Sequence, residues 1–193
     1  MQALQSNYTI LQGGITVLLY ATIPFAKWLG AKTLQEPLLE GNDFVSWRAN
    51  YAEYEGKRVL VFMHEATRYV VVVVDPSSKH SGSLEELFFD ALRGTLLADN
   101  INPDVIERYM SECGGIDIVR NVGRRQTVWL NKAADNVWFS MRDFSEGVAL
   151  GIAASHTSVD PVAGGKYEDR VIPAEKFYEM LGKYDLPIRA PGQ

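Results

Sequence analysis

The sequence has little of what several classes of protein require. Its 193 residues include one cysteine, Cys113, and three histidines, at positions 64, 80 and 156. A single cysteine excludes an internal disulfide framework and a cysteine-rich zinc site, and it is typical of a reducing cytoplasm. Histidines so far apart in sequence favour isolated surface side chains over a metal site. We therefore expect a cytoplasmic protein with no metal and no cofactor.

Long apolar runs and an excess of basic charge are also missing. Residues 15–26 are apolar, but they contain Pro24, no basic residue precedes them, and they are too short to span a bilayer. The sequence thus predicts neither a signal peptide nor a membrane anchor. The net charge of −5 argues against broad nucleic-acid binding, although it leaves room for a local basic patch.

Recognisable catalytic motifs are absent from the sequence. There is no P-loop, dinucleotide fingerprint or nucleophile elbow. His64-Glu65-Ala66-Thr67-Arg68 begins like a zinc-protease helix, but it lacks the second histidine four residues on. Cys113 is predicted on the apolar face of a helix near its C-terminal end, where the helix dipole raises a thiol pKa. We therefore interpret this cysteine as a core residue.

Residues 44–75 are rich in β-branched and aromatic side chains, which favours strands. The Glu55-Gly56 pair can turn the chain between two of them. The five consecutive valines, 70–74, do not alternate with polar residues, which is typical of a strand buried on both faces. We predict a three-stranded antiparallel meander with the valine strand at the centre of the sheet.

Helix signals follow the meander. Ser83 and Glu86 form a capping box, and Asn102-Pro103 begins a second helix that ends at Gly114-Gly115. A third helix is predicted from Asn131, with a buried stripe that includes Trp138 and Phe144. Further strands are predicted at 15–21, 116–120 and 126–130, short helices at 22–30 and from residue 173, and irregular chain at 151–172.

These elements predict an α+β fold, in which a mainly antiparallel sheet is packed by three main helices. We expect a single domain at 1–155. Residues 156–193 are predicted to be a C-terminal extension with a short helix, packed on the domain or on a partner.

Three segments, taken together and in order, resemble a bacterial family of small uncharacterised domains: Trp47-Arg48-Ala49-Asn50, the segment from Thr67-Arg68-Tyr69 to the helix at 84–92, and Asn136 to Phe144. Some members occur beside plasmid-type open-reading-frame domains. The resemblance covers about residues 15–150 and implies no activity. This chain departs from the family pattern at Asp135-Asn136, Phe139 and Arg142, where the family has arginine, glycine and asparagine.

One candidate ligand site lies on the second strand. Alternation places Trp47 and Ala49 on one face of the sheet, and Arg48 and Asn50 on the other. Together with Arg68 of the neighbouring strand, these polar side chains can form a patch that binds an anion or a nucleobase. A solvated sheet surface explains the same pattern.

A second candidate is a cationic tip in the predicted turn at 121–125. Arg120, Arg124 and Arg125 lie there close in sequence to Trp129, and arginines beside an aromatic ring can grip phosphate and stack on a base. Ordinary solvated turn charge is the alternative. Asp143, with Arg142, is predicted to lie close to this tip.

Three functional hypotheses follow. The first is a non-enzymatic interaction or regulatory module that binds a protein partner or its own copy, using the sheet face and the apolar residues of the last helix, Phe177, Met180, Leu181 and Tyr184. The second, not favoured, is nucleic-acid or nucleotide binding through Arg48, Arg68, Arg120, Arg124 and Arg125. The third is a small hydrolase with an acid–base pair drawn from Asp143, Glu65 and His64.

Overall fold

Five strands form one mixed sheet in the computed structural model, which describes residues 14–38, 41–76, 83–159 and 170–189. The strands are β1 (Ile15–Ala21), β2 (Trp47–Tyr54), β3 (Lys57–His64), β4 (Val70–Val74) and β5 (Cys113–Arg120). Their order is β4-β3-β2-β1-β5. The meander β2-β3-β4 is antiparallel, as predicted, while β1 runs parallel to both β2 and β5. His80 lies outside the described residues.

Six α-helices surround the sheet in the part of the chain that the structure describes. They are α1 (Ile23–Trp28), α2 (Leu84–Ala98), α3 (Pro103–Glu112), α4 (Arg124–Ser140), α5 (Gly147–His156) and α6 (Pro173–Leu181), the last continued by a 3₁₀ turn at Gly182–Tyr184. The Ser83 capping box and the Asn102 cap form as predicted, because each side-chain oxygen accepts a first-turn amide. The α+β fold is confirmed.

The sheet is covered on both faces, and each face has its own core. One core packs Trp47, Phe62 and Val71 against α1, α2, α3 and α6. The other packs Val61, Val70 and Val72 against α4 and α5. The valine run does not alternate with polar residues because its successive side chains enter two different apolar layers.

The valine strand is nevertheless at the edge of the sheet, so its predicted central position is wrong. Helix α5 replaces the missing neighbour. Its Gly147 and Gly151 lie against the carbonyl groups of Val72 and Val70, and Ser155 Oγ accepts the Val70 N–H at 2.8 Å. The edge is therefore closed by a helix whose contacting residues are small.

Two predicted boundaries are also wrong. Residues 126–130 belong to α4 and not to a strand, and Cys113-Gly114-Gly115 begin β5 and do not end a helix. Gly114 meets the backbone of Gly14, the residue before β1, and a Cβ atom at Gly114 would lie 3.0 Å from the Gly14 carbonyl oxygen. These glycines allow two strands to approach closely, which their sequence alone does not distinguish from a helix stop.

The last helix contributes to the core. Phe177 and Leu181 are fully buried, and Phe177 packs against Trp47, Tyr69 and Tyr109. These two residues therefore cannot bind a partner as the first hypothesis supposed. No helix among the described residues combines the length and apolar character that crossing a bilayer requires.

Candidate functional site

The predicted patch on β2 is a buried structural link. The side chain of Arg48 is 3% exposed and forms a two-point ion pair with Glu65, in which Nη2 lies 3.0 Å from Oε1. Its Nη1 donates to Asn121 and, at 2.9 Å, to the Val122 carbonyl. Arg48 thus ties β2 to two loops, and four of its donor contacts are already used.

Asn50 points to the same face of β2, as predicted, but it has a separate role. Its Oδ1 accepts a hydrogen bond from Thr22 Oγ1 at 2.8 Å, and Thr22 caps α1. Asn50 therefore fixes the junction between β1 and α1. Arg48 and Asn50 are engaged by different parts of the chain and do not form an open anion site.

The predicted cationic tip assembles in part. The guanidinium groups of Arg68 and Arg125 lie over the Trp129 ring, at 3.7 and 4.5 Å from its centroid. Arg120 forms an exposed ion pair with Glu36 instead. Arg124 is exposed in the first turn of α4. The Arg68 guanidinium covers ring surface that a stacked base would need.

Arg142 and Asp143 do not lie at this tip. The tip residues begin α4, whereas Arg142 and Asp143 follow its last residue, Ser140. A helix of 17 residues is about 25 Å long, so the two groups lie at opposite ends of α4. The predicted helix began at Asn131 and not at Arg124, so the prediction placed Arg142 and Asp143 too close to the tip.

The groups proposed for a hydrolase do not converge either. His64 is fully buried, its Nε2 lies 3.1 Å from the Phe44 carbonyl, and burial lowers its pKa to about 4. Glu65 is paired with Arg48. Asp143 is exposed just after α4. The end of α4 lies at one end of β2, where Trp138 stacks on Tyr54, whereas His64 pairs with Trp47 at the other end of β2. The acid–base pair is not formed by these residues.

A cluster around Asp99 was missed from the sequence. The buried Asp99 carboxylate accepts from the Tyr69 hydroxyl at 2.8 Å and from the Tyr178 hydroxyl at 2.6 Å, and His156 Nε2 lies 2.9 Å from its other oxygen. Arg189 lies 3.6 Å from that oxygen. Burial and the Asp99 charge raise the pKa of both tyrosines.

This cluster joins α2, α5, α6 and the β3–β4 loop. A carboxylate that orients an imidazole is one part of a general base. Among the described residues, however, His156 is hydrogen-bonded to no serine, threonine or cysteine. We interpret the cluster as a structural link. Its members are scattered over 120 residues, so no spacing in the sequence indicated it.

Aromatic side chains are exposed together at the C-terminal end of α4. Trp138, Phe139 and Phe144 are 44%, 55% and 44% exposed. The Trp138 ring stacks on Tyr54 with 5.9 Å between centroids, and its centroid lies 5.4 Å from that of Phe139. We call Tyr54, Trp138, Phe139 and Phe144 the aromatic surface. Arg142 extends over Phe139, 5.8 Å from the ring centroid.

The aromatic surface corrects the predicted helical stripe, which placed Trp138 and Phe144 in the core. The buried face of α4 consists of Leu130, Ala133, Ala134 and Val137, so the stripe is right at Ala134 and Val137 and wrong at Trp138. Trp138 is offset from that face, and Phe144 follows the end of the helix. Phe139 and Arg142, at which the chain departs from the resembled family pattern, both belong to this region.

Fold and site together define a small α+β domain with a sheet covered on both faces and an exposed aromatic surface. Among the described residues, no group of three potential metal ligands is present. The sequence matches the model of a domain of unknown function, DUF6933, over residues 18–176, so the chain belongs to this family. The match confirms the expected family of small uncharacterised domains and extends beyond residue 150 to the first turn of α6. The comparison with curated proteins found no match.

Proposed function

We propose that the protein is a non-enzymatic interaction module that binds a protein partner through the aromatic surface. The observation that carries this proposal is the grouping of three half-exposed aromatic side chains at one end of α4. Tryptophan, tyrosine and arginine are the residues most enriched where protein interfaces gain their binding energy. All three occur here, as Trp138, Tyr54 and Arg142.

The charges around the aromatic surface favour a different protein over a second copy of this chain. Glu55, Asp135, Asp143 and Glu146 are exposed in this region, against two cations, Arg142 and Lys57, the latter opposite Tyr54 in the β2–β3 hairpin. A symmetric dimer through this surface would bring two acidic rims together, which weakens association. We therefore infer a partner with a basic surface, and self-association is an outcome that the experiment must separate.

Affinity capture from the source cells tests the proposal. The intact chain is the bait, and Phe139→Ser is the variant, since this side chain is exposed and its loss costs little stability. Leu97→Ser removes an apolar side chain of similar exposure, 48%, from α2 and serves as the matched control. We expect a partner that the wild type and Leu97→Ser retain and that Phe139→Ser loses.

Light scattering on the purified chain separates the two kinds of partner. We expect a monomer at micromolar concentration. A dimer that Phe139→Ser dissociates would assign the aromatic surface to self-association. Capture that is equal for all three baits, with a monomeric wild type, would remove the support for an interaction module at this surface.

A further inference from the structure

A shallow pocket opens at the edge of the aromatic surface, between the β2–β3 turn and the end of α4. It is lined by Tyr54, Glu55, Trp138, Met141 and Arg142. The Tyr54 and Trp138 rings are nearly parallel, with 9° between their planes. Two aromatic residues, a methionine and residues of both charge signs therefore border one small space.

Two parts of this pocket, the Tyr54 ring and the turn backbone at 55–56, are held in place by the fold. The Tyr54 hydroxyl donates to the Ala134 carbonyl at 3.4 Å, which holds the ring against α4. Glu55 and Gly56 both have positive φ, 50° and 79°, as a two-residue hairpin turn requires. A short turn of this kind restricts where the Glu55 backbone can move. Little ordering is thus needed on binding, which favours affinity.

We propose that this pocket receives a cationic side chain of the partner, with arginine preferred. The inference rests on the proposed function and names the chemistry of the partner. A planar guanidinium can stack on the face of Trp138 or Tyr54 that the other ring leaves open, and can donate two parallel hydrogen bonds to the Glu55 carboxylate. Lysine carries the same charge but lacks the planar fork, so it binds more weakly.

The electrostatics of the region agree with a cation. Four acidic side chains, those of Glu55, Asp135, Asp143 and Glu146, are exposed around the pocket. Asp135 is close enough to Tyr54 to raise the pKa of that phenol, after burial as the larger cause. The opposing charges are Arg142, whose guanidinium lies toward Phe139, and Lys57, which pairs with Tyr54 across the hairpin. The field at the pocket is therefore negative on balance.

Binding of N-acetyl-arginine methylamide to the intact, isotope-labelled chain tests the proposal directly by NMR. We expect saturable shifts at Tyr54, Glu55 and the Trp138 indole N–H. The citrulline analogue has the same shape without the charge and should cause none of them. Glu55→Gln should weaken arginine binding roughly threefold or more, as loss of one exposed charge-assisted contact predicts. Glu175→Gln, an exposed glutamate on α6, is the matched control and should bind as the wild type does.

Absence of shifts with the arginine probe, or equal shifts with citrulline, would overturn the inference. Since Glu55 is exposed in a turn, Glu55→Gln is expected to fold, and Trp138→Leu gives a second variant that should also weaken the probe. With a captured partner in hand, Phe139→Ser tests the interaction surface and Glu55→Lys tests the cationic anchor. Partner binding lost in Phe139→Ser but unchanged in Glu55→Lys would refute the anchor and leave the proposed function standing.

Discussion

At the level of single residues, buried polar side chains such as His64 connect separate elements of the fold. His64 is fully buried between the Trp47 and Phe177 rings, 5.0 and 5.3 Å away by ring centroids. It is kept neutral by that burial, and both ring nitrogens are hydrogen-bonded, Nε2 to the Phe44 carbonyl and Nδ1 to Thr67. The motif that resembled a metal ligand is therefore a core contact between β3 and the loop before β2.

The neutral state of His64 makes stability depend on pH. Its pKa is about 4 in the folded protein, below the ordinary 6.5, so between these values the unfolded chain binds a proton that the folded chain does not. Stability should fall as the pH drops from 6.5 to 4, by about 3 kcal/mol. Urea unfolding at several pH values measures this. His64→Gln should remove this dependence of the unfolding free energy on pH. A dependence equal to that of the wild type would show that His64 is not its cause.

Cys113 is expected to be an unreactive thiol. Burial, and then the negative charge of Glu112, raise the pKa of Cys113 to about 12. At pH 8 the thiolate, which is the reacting form, is about one part in ten thousand. Iodoacetamide should therefore label the folded chain very slowly and the urea-unfolded chain at the rate of a free cysteine. Rapid labelling of the folded chain would show that the thiol is not held as described.

The Tyr69 hydroxyl should stabilise the fold through its hydrogen bond to Asp99. Tyr69→Phe leaves one lone pair of a buried carboxylate without its donor, at a cost of about 1.5–3 kcal/mol. Tyr51→Phe removes an exposed hydrogen bond to Glu53 and is the control, with an expected change below about 0.5 kcal/mol. Equal midpoints in urea for the two variants would exclude a stabilising role for the Asp99 cluster.

At the scale of elements, the pairing of β4 with α5 explains how an edge strand can be almost wholly apolar. Val70 and Val72 turn their N–H and C=O groups away from β3, where an open edge would invite another strand. Helix α5 covers this edge and Ser155 satisfies the Val70 amide. The valine run predicted burial correctly, because burial depends on side chains. It could not predict the position in the sheet, which depends on the distant residues 147–155.

Close packing of α5 on β4 requires glycine at position 151. A Cβ atom there would lie 2.9 Å from the Val70 carbonyl oxygen, closer than such atoms pack. Gly151→Ala should therefore destabilise the protein by about 1–3 kcal/mol, although alanine favours helices. Gly182→Ala is the matched control, since a Cβ atom at Gly182 has no neighbour within 4 Å and φ is negative there. Chemical denaturation that ranks Gly151→Ala as equal to or more stable than Gly182→Ala would contradict this packing.

At the scale of the whole molecule, charge distribution bears on the choice of partner. The chain carries −5 overall, and the arginines suggested as a nucleic-acid surface are separated: Arg48 is buried, Arg120 is paired with Glu36, and Arg68 and Arg125 lie over Trp129. We therefore expect flat fluorescence polarisation with labelled DNA, RNA and nucleotides even at low salt. Binding that weakens steeply as salt is added would revive the nucleic-acid hypothesis, and Arg124→Ala with Arg125→Ala would then locate it.

The α+β class, the meander, the caps of α2 and α3, and the family could all be predicted from the amino-acid sequence. These depend on local preferences: turn residues, capping side chains and the density of β-branched residues, all of which act within a few positions. The same local signals misassigned 126–130, because a β-branched, aromatic pentapeptide fits either a strand or one face of α4.

Only the tertiary structure decided the edge position of the valine strand, the separation of the arginines, the Asp99 cluster and the exposure of Trp138. Each depends on which distant segments meet, and the free energy of such contacts leaves no periodic trace in one sequence. Trp138 shows this most clearly. Val137 and Trp138 are neighbours in the sequence and both apolar, but Val137 faces the core and Trp138 is 44% exposed, because packing against the sheet buries one face of α4 only.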